Sequence, residues 1–273
     1  VASGNFVPVF NEAQGVGVLR HLTIRYSRST QALMVIITVA QALPDVNGLV
    51  DALRRISGVV CVFISTQSNP SDDSVLGDTL ECIWESGDGP YIVDDIAGHQ
   101  CRISPRSFVQ GNALMVDTLY QTLIDHLQWD GYGQLIDLYC GTGSLTMALA
   151  AVGGEVIGVD DNQSAIEDAR YNAKLNGLSC LYKCQSAELF LESTDCSDSI
   201  IVMDPPRKGC DQRVLQAIIC AKPKRIGFIS CNVDTLGRDL RVLVDAGYRI
   251  DCIQSVEMFC HSPHLEIVVI LHV

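Results

Sequence analysis

A thiol, a carboxylate and a guanidinium stand in three short motifs of the second half of the chain. Cys231 lies in a Ser-Cys-Asn sequence, Arg207 in an Asp-Pro-Pro-Arg sequence that begins at Asp204, and Glu266 opens the last apolar run. A thiolate can add to an electron-poor carbon, a carboxylate can accept a proton, and a guanidinium can bind a phosphate. This order predicts a nucleophile at Cys231, a substrate clamp around Arg207 and a base at Glu266.

Each of these residues stands at the end of a predicted strand. The two prolines before Arg207 fix the backbone into a rigid turn, which either faces a ligand or is only a stiff loop. Cys231 precedes a helical pattern that Asp234 or Thr235 can cap, and the helix N-terminus would favour the thiolate; a buried structural cysteine is the alternative. Burial would raise the pKa of Glu266, unless it is a surface carboxylate opening an edge strand.

A glycine-rich turn upstream predicts a cofactor site. Residues 137–144, Asp-Leu-Tyr-Cys-Gly-Thr-Gly-Ser, read as a strand, a turn and a helix start. Asp160 ends the next strand, roughly 20 residues further on, where an acid can hold ribose hydroxyls. The short G-T-G form without a phosphate-binding lysine argues against ATP and, more weakly, NAD, and it suits S-adenosylmethionine (SAM). A structural turn, and a helix N-cap at Asp160, are the alternatives.

The surrounding pattern predicts an α/β chain in two domains. Residues 1–98 are expected to form a small α+β domain, in the order strand, strand, helix, strand, hairpin. Residues 99–273 are expected to form a Rossmann-like domain, with a helix at 113–127 and a mostly parallel sheet. Its strands are predicted at 135–139, 156–160, 200–204 and 226–230, and an antiparallel pair at 249–259 and 266–273 is joined by a loop containing Pro263.

Composition narrows the functional classes. The net charge of −13 argues against non-specific binding of polyanions, although a basic track is possible at Arg20, Arg25 and Arg28, with solvated surface as the alternative. The longest apolar stretch, Ala32 to Val39, is too short for a membrane span. The 12 cysteines are scattered, which favours a reducing, cytoplasmic compartment and no metal site.

The first residue, Val1, is not preceded by a Met or by a charged segment leading into an apolar core. We therefore expect no signal peptide and expect the sequence to be part of a longer chain.

Together the motifs resemble the SAM-dependent RNA uracil-C5 methyltransferases, which make 5-methyluridine in tRNA and ribosomal RNA. The resemblance covers the glycine-rich turn and the segments at 103–112 (ISPRSFVQGN), 204–209 (DPPRKG), 230–240 (SCNVDTLGRDL) and 261–266 (HSPHLE). Residues 17–22 are similar to the family's central domain, which implies that residues 1–98 contact RNA. The DPPR and SCN motifs in this order distinguish it from the NPPY amino-methyltransferases and from the cytosine-C5 enzymes.

The resemblance implies a role for individual positions. Cys231 would be the nucleophile and Glu266 the base. Further positions would bind the cofactor, SAM (Gln110, Tyr139, Gly141, Ser144, Asp160, Ser186 and Asp204), or the substrate (Phe108, Pro205, Arg207 and Asn232). The chemistry agrees with these residue types. Uracil C5 is a weak nucleophile, so a thiolate must first add at C6, and the C5 proton must later leave to a carboxylate.

The sequence departs from the family pattern at Val109, Val233 and Gly237, none of which replaces a reactive group. The given residues contain neither the family's N-terminal OB-like domain nor its cysteine spacing for a 4Fe–4S cluster, so we expect no iron–sulfur cluster. The amino-acid sequences of the motifs resemble those of the ribosomal RNA enzymes most, which favours ribosomal RNA as substrate, with tRNA as the alternative. Neither DNA nor a membrane is expected as a partner. A non-catalytic RNA- or SAM-binding module and a cysteine-rich metal or redox protein are the remaining alternatives.

Overall fold

The computed structural model describes residues 7–69, 74–87, 89–262 and 264–273. The chain forms two compact units. One takes in the chain as far as Asp95 together with Arg102–Arg106, and the other takes in Ile96–Cys101 and Ser107–Val273. Pro263, which the sequence placed in the last loop, lies outside the described residues.

The first unit is built on a four-stranded sheet and one helix. Its elements are β1 (Leu19–Tyr26), β2 (Leu33–Val39), α1 (Val46–Leu53), β3 (Val59–Thr66) and β4 (Thr79–Glu85), with the strands in the order β1-β2-β3-β4. Helix α1 connects β2 to β3, which run parallel, whereas the outer pairs are antiparallel. Strand β2 is rich in β-branched residues and is almost entirely buried, as its sequence favours.

The predicted α+β order is confirmed, with one addition. The expected hairpin is the two-stranded sheet of β5 (Ile92–Ile96) and β6 (His99–Ile103). Strand β4 was not predicted, because its residues are exposed or only partly buried and give no clear alternation.

Arg20 does not contribute to the basic track that the sequence left possible in this unit. The side chain of Arg20 is 1% exposed, pairs with Glu12 at 3.0 Å and lies over the ring of Phe10. Arg20 also donates to the backbone oxygen of Asn69 at 2.7 Å. Burial lowers the pKa of Arg25. Both predictions for Arg20, a basic track and a solvated surface, are therefore wrong, because its guanidinium binds other residues of the unit.

The second unit is a seven-stranded sheet flanked by helices. Its elements are α2 (Ala113–Leu127), β7 (Gln134–Leu138), α3 (Ser144–Ala150), β8 (Glu155–Asp160), α4 (Gln163–Leu175), β9 (Leu181–Cys184), α5 (Ala187–Ser193), β10 (Ile200–Met203), α6 (Gln212–Ala221), β11 (Arg225–Ser230), α7 (Val233–Asp245), β12 (Arg249–Val256) and β13 (Glu266–His272). The strand order is β12-β13-β11-β10-β7-β8-β9. Strands β7 to β11 are parallel, and β13 runs antiparallel to both β11 and β12.

The predicted Rossmann-like sheet with a terminal antiparallel pair is therefore confirmed. Helix α2 has the predicted bounds. Strand β9 was not predicted, because it has four residues of which only Tyr182 is buried. Strand β7 ends one residue earlier than predicted, since Tyr139 takes a left-handed conformation with φ 63°.

Apolar side chains hold both faces of this sheet. The central strands are buried on both sides, as near-continuous apolar runs in parallel sheets require. On one face, Leu123 and Leu127 of α2 pack against Gly227 of β11, where a Cβ would lie 2.8 Å from Leu123 Cδ1. Each fully buried leucine contributes roughly 1.5–3 kcal/mol to folding. This packing fixes where the strand ends lie.

The order of the strands reverses between β7 and β10. From β7 the chain proceeds through β8 and β9 to one side, and then returns to form β10 and β11 on the other. In open α/β sheets, ligands bind at the carboxyl edge beside such a reversal. Within the described part of the chain, no helix is long and apolar enough to cross a membrane.

Candidate active site

The glycine-rich turn follows β7 at this edge. Gly141 and Gly143 have φ of 53° and 81°, values that L side chains rarely adopt. A Cβ on Gly143 would also lie 2.5 Å from the hydroxyl of Tyr182 and 3.0 Å from Ala169 Cβ. Only glycine therefore fits at position 143, and α3 begins at the next residue.

Asp160 ends β8 beside this turn. One carboxylate oxygen accepts a hydrogen bond from Gly141 N at 3.0 Å and the other from Asn162 N at 2.9 Å. The N-cap of α4 is Asn162, so the alternative of Asp160 as a helix cap is wrong. Burial raises the pKa of Asp160, while the two backbone hydrogen bonds oppose the rise. Each oxygen keeps a lone pair that could accept from a ribose hydroxyl.

The remaining predicted cofactor positions lie along the same edge. Ser186 precedes α5, and its buried hydroxyl has no hydrogen-bond partner. Ser144 lies 2.8 Å from the hydroxyl of Tyr120, and Gln110 donates to Asp204 at 3.0 Å. Tyr139 is half-buried against the core. Buried polar groups are normally paired, so the free hydroxyl of Ser186 fits a site for a polar ligand.

Two carboxyl groups, the buried Asp137 and the half-buried Asp204, lie at the centre of the edge. Burial raises the pKa of Asp204 to about 8, and the charges of Glu266 and Asp137 add to the rise, against the hydrogen bond from Gln110. Burial raises the pKa of Asp137 to about 7, and Thr146 donates to it at 2.6 Å. Both groups therefore hold a proton more tightly than an ordinary aspartic acid.

Strand pairing brings Cys231 and Glu266 together. Ser230 of β11 pairs with Ile267 of β13, so the residues next to them, Cys231 and Glu266, meet at the carboxyl edge of the sheet. Glu266 is 4% exposed, and its Oε2 has no hydrogen-bond partner. Burial raises its pKa to about 7, although Arg207 lowers it. The alternative of a surface carboxylate is wrong, and the expected rise in pKa is confirmed.

The thiol of Cys231 differs from the expectation. Burial raises its pKa, the carboxyl groups of Glu266 and Asp204 raise it further, and Arg207 lowers it. The prediction that the helix N-terminus would favour the thiolate is therefore wrong, because burial and two acidic neighbours outweigh it. The thiol therefore holds its proton more tightly than an ordinary cysteine.

Asn232 connects the helix after Cys231 to the loop that carries Arg207. Its side chain caps α7 by accepting from Asp234 N at 3.0 Å, so the predicted caps, Asp234 and Thr235, are wrong. Its amide donates to the backbone oxygen of Arg207 at 3.1 Å, and Thr235 Oγ1 donates to the same oxygen at 3.3 Å. Asn232 thus holds the loop in place with both ends of its amide.

The other predicted substrate positions differ in exposure. Phe108 is 73% exposed and Arg207 is exposed, whereas Pro205 is buried in the turn. Sequence reasoning missed Asp137 and Tyr182. Asp137 opens the quoted turn motif and could have been found there, whereas Tyr182 shows its role only through its approach to Gly143.

The alternatives to this site would be a metal site or a groove outside the carboxyl edge. Among the described residues, no group of three or more His, Cys, Asp and Glu side chains is placed to hold a metal ion. An open groove of about 740 Å³ lies between α5 and α6 and is lined by residues such as Gln216 and Cys220. The chemistry-bearing side chains lie instead at the carboxyl edge.

Two family models match the second unit. Residues 111–226 match the methyltransferase small domain, and residues 185–273 match the tRNA (uracil-5-)-methyltransferase family. The first match contains the glycine-rich turn and Asp160, and the second contains Cys231 and Glu266. The fold and these matches define the class: the second unit is a SAM-dependent methyltransferase domain of Rossmann type.

Relatives and solved structures narrow this class. An uncharacterized RNA methyltransferase of Listeria monocytogenes is 37% identical over 96% of this chain, and one of Bacillus cereus is 35% identical over 97%. The chain spans 58% of the length of each of these relatives. The tRNA (uracil-54, C5)-methyltransferase of Pyrococcus abyssi, solved with S-adenosyl-L-homocysteine, matches 97% of this chain and 62% of its own with a TM-score of 0.77 and 28% identity. Over nearly its whole length the chain is therefore similar to RNA methyltransferases, and its residues 185–273 match the tRNA (uracil-5-)-methyltransferase family.

Proposed function

We propose that this chain transfers a methyl group from SAM to C5 of a uridine in RNA, with Cys231 as nucleophile and Glu266 as base. The observation that carries the proposal is the pairing of a thiol with a buried carboxyl group whose pKa is about 7, across the register of β11 and β13. A non-catalytic binding module has no use for this pair, because a buried carboxyl group without a partner on Oε2 lowers stability.

The residues at the carboxyl edge fit SAM. Asp160 would accept hydrogen bonds from the ribose hydroxyls, since each of its oxygens keeps a lone pair. Ser186 would bind the ligand through its free hydroxyl. The glycine-rich turn allows close approach of the ligand, and Gln110, Tyr139 and Ser144 lie beside it. When bound here, SAM supplies an electrophilic methyl group.

The protein's own residues account for the remaining steps. The thiol of Cys231 loses its proton to solvent, and the resulting thiolate adds to C6 of the uracil. The electrons of the C5–C6 double bond pass into an enolate, so C5 becomes nucleophilic. After methylation at C5, Glu266 accepts the proton on that carbon. The electron pair of the C5–H bond restores the double bond, and the C6–S bond breaks to release the thiolate.

The geometry favours Glu266 over Asp204 as the base. Glu266 lies opposite Cys231 in the register of β11 and β13, and its Oε2 has no hydrogen-bond partner, whereas Asp204 accepts a hydrogen bond from Gln110. Burial raises the pKa of Glu266 to about 7, which suits a group that accepts a proton near neutral pH. Asp204 is therefore assigned to binding of the cofactor, and Arg207 and Phe108 to binding of the RNA.

Ribosomal RNA is the substrate that the amino-acid sequences of the motifs favour. The second candidate is tRNA, because one matching family model and one similar solved structure carry the names of tRNA uracil methyltransferases. In either case, residues 1–98 are proposed to contact the RNA and the reaction is proposed to take place in the cytoplasm.

Mass mapping of 5-methyluridine in both RNA classes tests the function and the target together. RNA from cells lacking the protein is compared with RNA from the same cells that express the full-length protein or its Cys231→Ala variant. We expect one uridine of ribosomal RNA to lose its methyl group in the deletion and to regain it only with the unaltered protein. Loss in tRNA alone would establish the second candidate. An unchanged map in both classes would contradict the proposed function.

A further inference from the structure

Arg238 and Asp239 of α7 bind the backbone of the loop after β10. Arg238 Nη2 donates to the carbonyl oxygens of Lys208 at 3.0 Å and Cys210 at 3.2 Å. Asp239 Oδ2 accepts from Cys210 N at 2.8 Å, and Arg238 Nε donates to Asp239 Oδ1 at 2.8 Å. We call these two residues the loop clamp and residues 205–210 the arginine loop.

The burial of Asp239 indicates that the loop clamp does more than pack α7 against the sheet. The side chain of Asp239 is 0% exposed, whereas that of Arg238 is 47% exposed. A buried carboxylate destabilises a fold unless its oxygens are paired and hydrogen-bonded. If this position of α7 only had to pack against the sheet, an apolar residue would be expected there instead of Asp239. Both oxygens of Asp239 are bound, one by its own arginine and the other by the arginine loop.

Gly209 lets the arginine loop lie directly against the clamp. Its φ is +75°, and a Cβ at this position would lie 2.5 Å from Asp239 Oδ2 and 2.6 Å from Arg238 Nη2. The same loop is closed by a hydrogen bond from Gly209 N to the carbonyl of Pro206 at 2.8 Å. Contact this close leaves the backbone of the loop little freedom while the clamp is in place.

The arginine loop carries the positive charge that acts on the reacting pair. The backbone oxygen of Arg207 accepts a hydrogen bond at 3.1 Å from the side chain of Asn232, which is next to Cys231. The charge of Arg207 lowers the pKa of both Cys231 and Glu266. The charged groups that oppose it at Cys231 are Glu266 on β13 and Asp204 after β10. The guanidinium of Arg207 is exposed, so its place depends on where the backbone of the loop is held.

We infer that Arg238 and Asp239 are positioning residues, which bind the arginine loop and thereby hold Arg207 beside Cys231 and Glu266. They touch neither substrate nor cofactor in this assignment, and they act through Arg207. The inference rests on the proposed function only for the identity of the reacting pair.

The alkylation rate of Cys231 by iodoacetamide, measured against pH in the full-length protein, tests this inference. Mass spectrometry of the peptide containing Cys231 separates it from the other cysteines. Arg207→Gln removes the charge and should slow alkylation at pH 8 roughly three- to tenfold, the range expected for one partly screened charge nearby. Asp239→Asn should slow it in the same direction. The double variant should be no slower than Arg207→Gln alone, because both changes act through one charge.

Asp245→Asn is the matched control. Asp245 pairs with Arg241 at 3.0 Å on the same helix, is exposed and does not touch the arginine loop, so this variant should alkylate like the unaltered protein. If Asp239→Asn does not fold, Arg238→Lys serves in its place. It keeps a charge beside Asp239 but cannot bind the two loop carbonyls as a guanidinium does.

Three results would overturn the inference: clamp variants with an unchanged pH profile, effects of Asp239→Asn and Arg207→Gln that add in the double variant, or an Arg207→Gln variant without any shift. The measurement needs neither RNA nor methyl transfer. If the variants show the expected alkylation rates but the protein leaves RNA unmethylated, only the proposed function is contradicted. If the protein methylates RNA but the clamp variants alkylate like the unaltered protein, only the role of the loop clamp is contradicted.

Discussion

Replacing Glu266 with glutamine separates the two stages of the proposed reaction. Glutamine keeps the size of the side chain but cannot accept the C5 proton. Methyl transfer should still proceed, whereas release of the product should stall and leave methylated RNA attached to Cys231. A positioned base contributes typically 10²- to 10⁴-fold, so we expect multiple turnover to fall by at least about 100-fold.

The pKa of Glu266 gives a second quantity to measure. In the unaltered protein the group must be ionised to act, and its pKa is raised from the ordinary 4.5 to about 7. The ionised fraction then grows from roughly one tenth at pH 6 to roughly nine tenths at pH 8, so release of the adduct should accelerate roughly tenfold over this range. A carboxylate with an ordinary pKa would give a flat profile above pH 6.

Denaturing gels with labelled RNA and labelled methyl groups measure both quantities. Glu257→Gln is the control, because Glu257 is an exposed carboxylate close to Glu266 along the chain. The variant Glu266→Gln should accumulate an adduct that carries both labels, and Glu257→Gln should not. Normal turnover by Glu266→Gln, or a flat pH profile in the unaltered protein, would show that another group takes the proton.

The remaining predictions concern the cofactor, the nucleophile and stability. Asp160→Ala should weaken SAM binding by roughly 1–3 kcal/mol, and Asp161→Ala by much less; equal affinities in calorimetry would remove Asp160 from the site. RNA containing 5-fluorouridine should stay attached to Cys231, because fluorine cannot leave as a proton, and a gel-stable adduct in Cys231→Ala would identify another nucleophile. Asp137 and Asp204 have folded-state pKa values of about 7 and about 8, above the ordinary 3.8, so the folded state binds protons more tightly and the free energy of unfolding should fall as the pH rises from about 5 to about 8. Asp204→Asn should make this fall smaller in denaturant titrations, and an unchanged slope would contradict the raised pKa.

The order of the elements could be predicted because apolar runs and turns alternate clearly along the second unit. The bounds of α2 were predicted correctly, since Asn112 caps its start and its apolar face is regular. Strands β4 and β9 were missed because most of their residues are exposed, and exposed strands lack the alternation that periodicity detects.

The candidate site could be predicted as a set of residue types but not as an electrostatic environment. The strand ends and the resemblance predicted that Cys231 and Glu266 lie at one edge of the sheet. They did not predict the raised pKa of the thiol, because it depends on Asp204 and Glu266 approaching from other strands. The burial of Arg20 was likewise beyond the sequence, since Glu12 and Asn69 reach it through tertiary contacts.

The place of β13 in the sheet has a consequence for synthesis of the protein. This strand, the last in the described chain, lies between β12 and β11, so β12 has no partner and β11 has one open side until β13 is added. A nascent chain that has not yet delivered Glu266 from the ribosome therefore holds a thiol without its base and a sheet with an exposed edge. The reacting pair therefore cannot form in a product that ends before Glu266, and the exposed sheet edge makes such a product prone to aggregation.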